Sequence, residues 1–230
     1  MREINHDKTQ RVCLISGKGD NFCSGIDLDS LSGLMKAMNE KDVARRYNEL
    51  YKTIRDIQIK TSYLSKIDKP LIMAMNGVCI GLGVNFACYS DIRLCTKDTV
   101  FQLKEIKFGF PADVGALQLL PKLLNNQSYC QELILTGRKF SSAEAKDLGF
   151  VSQVFNSKGE MMDYANSLAE ELAALSPVGM QAMKNSLRFS SINSLDDGLE
   201  HLARINATVF QGMDFISALT KMGDAKFEDA

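Results

Sequence analysis

The chain predicts an α/β core followed by a helical C-terminal region. Three features of the sequence carry that expectation. Strand-like and helix-like stretches alternate through the first part of the chain, and beyond Gly159 the apolar spacing is helical throughout. Leu71–Met75, LIMAM, is a continuous apolar run of strand length, the mark of a sheet covered on both faces. The expected division is a core over residues 1–158 and a helical region over 159–230.

Taken in order, Arg11–Ser16 reads as a strand ended by Gly17 and Gly19. Gly25 follows in a segment where the backbone is expected to turn sharply beside a ligand. From Asp42 to Ile67, apolar residues at Val43, Tyr47, Leu50, Ile54 and Ile57 have amphipathic helical spacing, and Lys69-Pro70 stops the helix. After LIMAM, Asn76-Gly77 marks a turn, and Cys79–Val84 leads into an apolar helix through Ala87. Ile92–Thr96 and Thr99–Leu103 read as strands, and a helix is expected to start at Ala112 and run to Leu120. Asn126–Leu135 reads as a helix closed by Gly137. Ser141 with Glu144 forms a capping box for a short helix ending at Gly149, and Val151–Phe155 is a further strand. Four helices complete the chain: Glu160–Leu175, Pro177–Phe189 with proline in its first turn, Leu195–Phe210, and a last one to about Met222.

Composition excludes several functions. With 45% apolar and 24% charged residues the chain can bury a substantial core without staples. A net charge of −1 gives no electrostatic reason to expect nucleic acid as a partner. Cys13, Cys23, Cys79, Cys88, Cys95 and Cys130 form no CxxC pair and read as reduced, mostly buried thiols of an intracellular protein. His6 and His201 are the only histidines, which disfavours a His-based triad or a zinc site, and no metal site is expected. No apolar run reaches the ~18–20 residues that span a bilayer. The polar N-terminus reads as no signal peptide, and KFEDA is no peroxisomal address.

The chemistry concentrates in Phe101–Pro121, FQLKEIKFGFPADVGALQLLP. Glu105 and Asp113 flank a Gly109–Pro111 turn between strand and helix, where two acids can face each other across a pocket. Taken alone, two solvated acids explain the stretch equally well. Two glycine-marked sites precede it, Ser24-Gly25-Ile26-Asp27 and Gly81-Leu82-Gly83. Free backbone amides from two such loops, converging on one oxygen, would make an oxyanion hole; tight turns and close packing explain the glycines as well. Gly81-Leu82-Gly83 lacks the rest of a dinucleotide fingerprint.

In this order, NFCSGIDL, KPLIMAMNGVCIGLGVNFACYSDIR, FQLKEIKFGFPADVGALQLLPK and LTGRKFSSAEAKDLGFVSQVF resemble the enoyl-CoA hydratase/isomerase (crotonase) superfamily over nearly the whole chain. GIDL, KEIKFGFPADVG and LPK are most similar to the Δ3,5-Δ2,4-dienoyl-CoA isomerases. The resemblance implies a crotonase-like spiral of ββα units with a helical C-terminal region that serves packing and oligomerisation, assembled as homotrimers or homohexamers. It implies an enzyme of fatty acid β-oxidation acting on a fatty acyl-CoA thioester, in the mitochondrial or peroxisomal matrix, with coenzyme A as part of the substrate and no further cofactor. The Ile26 and Leu82 amides, in the Gly25 and Gly81 turns, would grip the thioester oxygen, Glu105 would remove a proton at C2, and Asp113 would deliver one at C6. Phe101, Phe108 and Phe110 are the apolar neighbours expected to raise one of the two carboxyl pKa values. The alternatives implied are a Δ3-Δ2-enoyl-CoA isomerase running on Glu105 alone, or a weakly catalytic acyl-CoA-binding homologue.

Three departures from the family pattern qualify this. Asn85 stands where the isomerases carry aspartate and the hydratases glutamate; it cannot exchange a proton, which disfavours hydration. Leu82 replaces the usual glycine, keeping the amide but adding a side chain beside the thioester. The resemblance begins at about the family's second strand, leaving out a strand, a helix and a loop that touches coenzyme A.

Overall fold

The computed structural model describes residues 2–27, 32–221 and 225–229. Leu28 of GIDL and Met222, the expected end of the last helix, lie outside the described residues. The described chain runs α1 (Arg2–His6), β1 (Cys13–Ser16), α2 (Ser32–Met38), α3 (Val43–Ser62), β2 (Leu71–Met75), β3 (Val78–Ile80), α4 (Leu82–Cys88), β4 (Ile92–Thr96) and β5 (Val100–Gln102). It continues through α5 (Ala116–Leu123), α6 (Gln127–Thr136), β6 (Lys139–Ser141), α7 (Ser142–Asp147), β7 (Gln153–Phe155) and four helices, α8 (Lys158–Ala173), α9 (Pro177–Ser190), α10 (Leu195–Val209) and α11 (Met213–Thr220). Short 3-10 turns cover Tyr63–Lys66 and Glu105–Phe108. One sheet has the order β1-β2-β4-β7 and the other β3-β5-β6. β3 pairs parallel with β5, with Ile80 opposite Gln102, and β5 pairs antiparallel with β6.

The chain divides into two compact units: Met1–Leu14, Ile67–Ile72 and Tyr164–Ala230 form one, and Ile15–Lys66 with Met73–Asp163 the other. Within the second, Met73, Met75, Val84, Phe101, Leu120, Phe140 and Phe150 share one buried cluster. Phe101 stacks on Phe140 at 5.2 Å and meets the Phe150 ring edge-on at 5.5 Å. Phe101 therefore belongs to the core, while Phe108 and Phe110 are exposed, so the aromatic surround expected for the two acids is absent on those counts. Within the first unit, Arg11 donates to the carbonyls of Ala173 at 3.0 Å and Phe227 at 2.6 Å. The buried Lys69 ammonium donates to the carbonyls of Ile4 and Asp7, satisfying its charge with main-chain oxygens.

Local signals explain most boundaries. LIMAM is β2, buried at every residue. Asp42 caps α3 by accepting from the Arg45 N–H at 2.9 Å, and Asn126 caps α6 from Tyr129. Ser141 and Glu144 make both bonds of the capping box at α7, and Pro177 opens α9. Five elements depart from expectation. β3, β6 and α2 were not expected at all, and α1 arises in the N-terminal stretch read as polar. The helix expected from Ala112 starts at Ala116 instead.

Gly115 is the reason for that late start. Its φ of +118° lies where side chains are strained, and a Cβ there would fall 2.1 Å from the Tyr89 hydroxyl. That hydroxyl donates to the Val114 carbonyl at 3.0 Å, so the space is occupied by a bonded group. Gly115→Ala is expected to lower unfolding stability by about 2 kcal/mol or more, combining backbone strain with overpacking. Denaturant titration checks this, and Tyr89→Phe in the same chain is expected to return part of the loss by removing the nearest clashing atom, the hydroxyl oxygen, while the ring stays close.

Candidate active site

The site begins with a strand pairing that the sequence did not reveal. The segment ending in Cys23 runs parallel to β3: the Cys23 N–H donates to Val78 O at 2.9 Å, and the Ile80 N–H donates back to Cys23 O at 2.9 Å. Two residues further along each segment come Gly25 and Gly81, then Ile26 and Leu82. The two loops meet closely, since a Cβ built on Gly81 would lie 3.9 Å from the Gly25 Cα. The Gly81 N–H is engaged, donating to Gln102 O at 2.8 Å and extending the β3–β5 ladder by one step. Leu82 is the first residue of α4, where no earlier helical carbonyl reaches its N–H, and no side chain caps it. Neither the Ile26 nor the Leu82 N–H is bonded to another described residue.

Glu105 comes to the same place from the strap after β5. The Cβ position on Gly81 would lie 3.6 Å from Glu105 Oε1. Oε1 accepts from Asn85 Nδ2 at 3.1 Å, whereas Oε2 is buried with no hydrogen-bond partner. A buried carboxylate oxygen without a donor is costly for stability alone, and it is what a group waiting to accept a proton looks like. Asn85 itself is fully buried. Its Nδ2 also donates to Gly81 O at 3.0 Å, and its Oδ1 accepts from the Ala116 N–H at 2.9 Å. The Asn85 side chain is thus held by three bonds to the protein.

Asp113 lies three residues before Ala116 and is partly buried. Burial pushes its carboxyl above the ordinary value, its own backbone N–H pulling the other way. Gln58 of α3, which sequence reasoning passed over, donates to the Asp113 carbonyl at 2.7 Å and anchors that segment. Nothing in the helical spacing of α3 distinguishes Gln58 from a solvated residue. The six cysteines are free, and Cys23 is only half-buried. Among the described residues there is no metal-ligating cluster and no helix long and apolar enough to cross a membrane.

Close packing fixes the loop pair. A Cβ at Gly83 would lie 2.8 Å from the Cys23 Cβ and 3.3 Å from the Cys79 sulfur. Side-chain-free backbone at this point lets α4 start directly against the Cys23 segment.

Two main-chain amides beside one carboxylate define a class of site suited to proton transfer next to a carbonyl. The enoyl-CoA hydratase/isomerase family model matches residues 1–229, and the chain belongs to that family. It is 38% identical over 95% of its length to the mitochondrial Delta(3,5)-Delta(2,4)-dienoyl-CoA isomerase of Mus musculus, of which it covers 67%. It is 37% identical over 96% of its length to the peroxisomal isomerase of the same name from Arabidopsis thaliana, covering 79% of it. Among solved structures, an enoyl-CoA hydratase from Bacillus anthracis aligns at TM-score 0.84 and 25% identity, over 98% of this chain and 84% of that one. The crotonase-like α/β fold with a helical C-terminal region is therefore as the sequence indicated. The chain spans about two thirds of the length of its mouse and rat relatives.

The raised Asp113 carboxyl has a consequence for stability. A carboxyl whose folded value lies above its unfolded one favours the folded state when protonated, so its contribution is complete below about pH 3.8 and is lost as pH rises through the folded value. Asp113→Asn, a neutral mimic, is expected to be more stable than the parent at pH 7, with the gap closing near pH 4. Melting temperatures across that range test the sign.

Proposed function

We propose that the chain is an isomerase that converts 3,5-dienoyl-CoA to 2,4-dienoyl-CoA in fatty acid β-oxidation. The observation that carries this reading is the buried, unpartnered Glu105 Oε2 beside the meeting point of the Gly25 and Gly81 loops. The thioester oxygen accepts from the Ile26 and Leu82 amides, and Oε2 removes a proton from C2. The electron pair left behind spreads through the carbonyl and the two double bonds, and the negative charge on oxygen is met by fixed donors. Asp113, which burial keeps inclined to hold its proton, delivers it to C6. Double bonds at positions 3 and 5 become 2 and 4, leaving Glu105 protonated and Asp113 ionised. A proton returned between them through solvent resets the site. The scheme uses main-chain amides and two carboxylates and draws on no cofactor beyond the substrate's coenzyme A.

The same reading supplies a homo-oligomer, a trimer or hexamer, to cover the exposed apolar side chains of the C-terminal helices. Leu187 is 74% exposed, Leu195 77%, Met213 73% and Leu219 65%, values that water-facing helices seldom repeat so often. It also supplies a mitochondrial or peroxisomal matrix setting, as for the relatives.

A Δ3-Δ2-enoyl-CoA isomerase would need Glu105 alone, and the raised Asp113 carboxyl favours the two-acid scheme over it. Ultraviolet absorbance of the conjugated 2,4-dienoyl product, formed from a 3,5-dienoyl-CoA, tests turnover directly. Glu105→Gln is expected to lower kcat by about 10³-fold. Asp113→Asn is expected to keep C2 proton exchange in deuterated buffer while forming almost no 2,4-product. Full dienoyl turnover by Asp113→Asn would remove Asp113 from the scheme.

A further inference from the structure

Asn85 stands between Glu105 and the starts of two helices, and it carries no charge. Each of its bonds has a definite partner: Nδ2 donates to Gly81 O at 3.0 Å and to Glu105 Oε1 at 3.1 Å, and Oδ1 accepts from the Ala116 N–H at 2.9 Å. Among the described residues, the bond from Asn85 is the one hydrogen bond to the Glu105 carboxylate. A carboxamide offers two donors and an acceptor, and the geometry uses both kinds. An aspartate of the same shape would accept from Ala116 but, when ionised, would have nothing to donate to Gly81 or Glu105.

We propose that Asn85 is a positioning residue for the proton-abstracting base: it holds Glu105 by Oε1, so that Oε2 is the oxygen left free to take the substrate proton. The inference rests on the reading of Glu105 as that base. The same carboxamide ties the base to Gly81, next to the Leu82 amide, and to Ala116, three residues after Asp113. One neutral side chain therefore sets the spacing of the base, one oxyanion donor and the segment bearing the acid.

Neutrality matters as much as shape. Two carboxylates about 3 Å apart cannot both ionise, and such a pair titrates as a unit. With asparagine at 85, Glu105 has a neutral partner and no like charge in hydrogen-bond contact. The other ionisable side chains on or beside the surrounding elements are Lys104 and Lys107 at its own turn, Asp27 after Ile26, Cys23, Cys79, Cys88 and Tyr89 around α4, Asp113 and Lys122 at α5, and Tyr129, Cys130 and Glu132 on α6. Lys104 sits over the Phe108 ring at 5.5 Å, and Glu132 pairs with Arg138 at 2.8 Å, so both have partners of their own.

The test is the pH dependence of kcat for a 3,5-dienoyl-CoA, measured on the full chain. Asn85→Asp is expected to move the acid limb to higher pH by about one unit or more. Asn85→Ala, checked for fold by circular dichroism, is expected to lower kcat by about 10²-fold with KM changed little, because the base is left misplaced. An unmoved acid limb in Asn85→Asp, or Asn85→Ala with kcat near the parent's, would overturn the proposal. Should neither variant fold, infrared titration of the parent against Glu105→Gln decides: a single-step carboxylate band supports it, and a two-step, shared-proton titration refutes it. Glu105→Gln separates the two levels of the argument. If that variant is inactive while Asn85→Asp keeps the parent profile, the positioning role alone fails; if it turns over normally, the base assignment fails and the positioning role with it.

Discussion

The parallel pairing of the Cys23 segment with β3 is the constraint on which the site depends. Two backbone hydrogen bonds, from Cys23 to Val78 and from Ile80 to Cys23, fix the register of one loop against the other. Once that register is set, Gly25 meets Gly81, and Ile26 and Leu82 follow them in the two loops. Any shift by one residue would carry the whole loop to the opposite face of the pairing. Backbone held in this way by sheet bonds is fixed before any ligand arrives.

The acidic half of the site is held by a different device. Glu105 sits on a 3-10 turn, a short element with poor internal bonding, so its orientation must come from elsewhere. It comes from α4 through Asn85, and α4 is in turn fastened to α5 through Ala116. Asp113 is steadied separately, by Gln58 on its carbonyl and by the Gly115 turn that delays α5. Uncharged groups thus fix where the two carboxyl groups stand, Asn85 for the one and Gln58 with Gly115 for the other. Burial of a carboxamide with all its bonds made costs little, whereas a third buried carboxylate would have raised the energy of the other two.

How much of this was legible in the sequence follows from the length of each signal. LIMAM, the helix starts at Asp42 and Asn126, the Ser141–Glu144 box and Pro177 are local patterns, and each one sits in the structure where it was expected. β3 and β6 have three residues apiece, too few for a period of two to declare itself, and they exist because β5 lies between them. The late start of α5 depends on a tyrosine 26 residues upstream, which no local propensity contains. At the site, Glu105, Asp113, Ile26 and Leu82 stood out through motif order. The bonds of Asn85 to Glu105 and Ala116, and of Gln58 to Asp113, are long-range and left no mark in spacing.

Gly83 shows what such tight contact means for descent and for engineering. With its missing Cβ already lying 2.8 Å from the Cys23 Cβ, position 83 is not at liberty to gain a side chain on its own. A methyl group gained at 83 calls for glycine at 23, so variants at 83 should be sought together with that change, and libraries that randomise 83 singly will mostly sample broken loops.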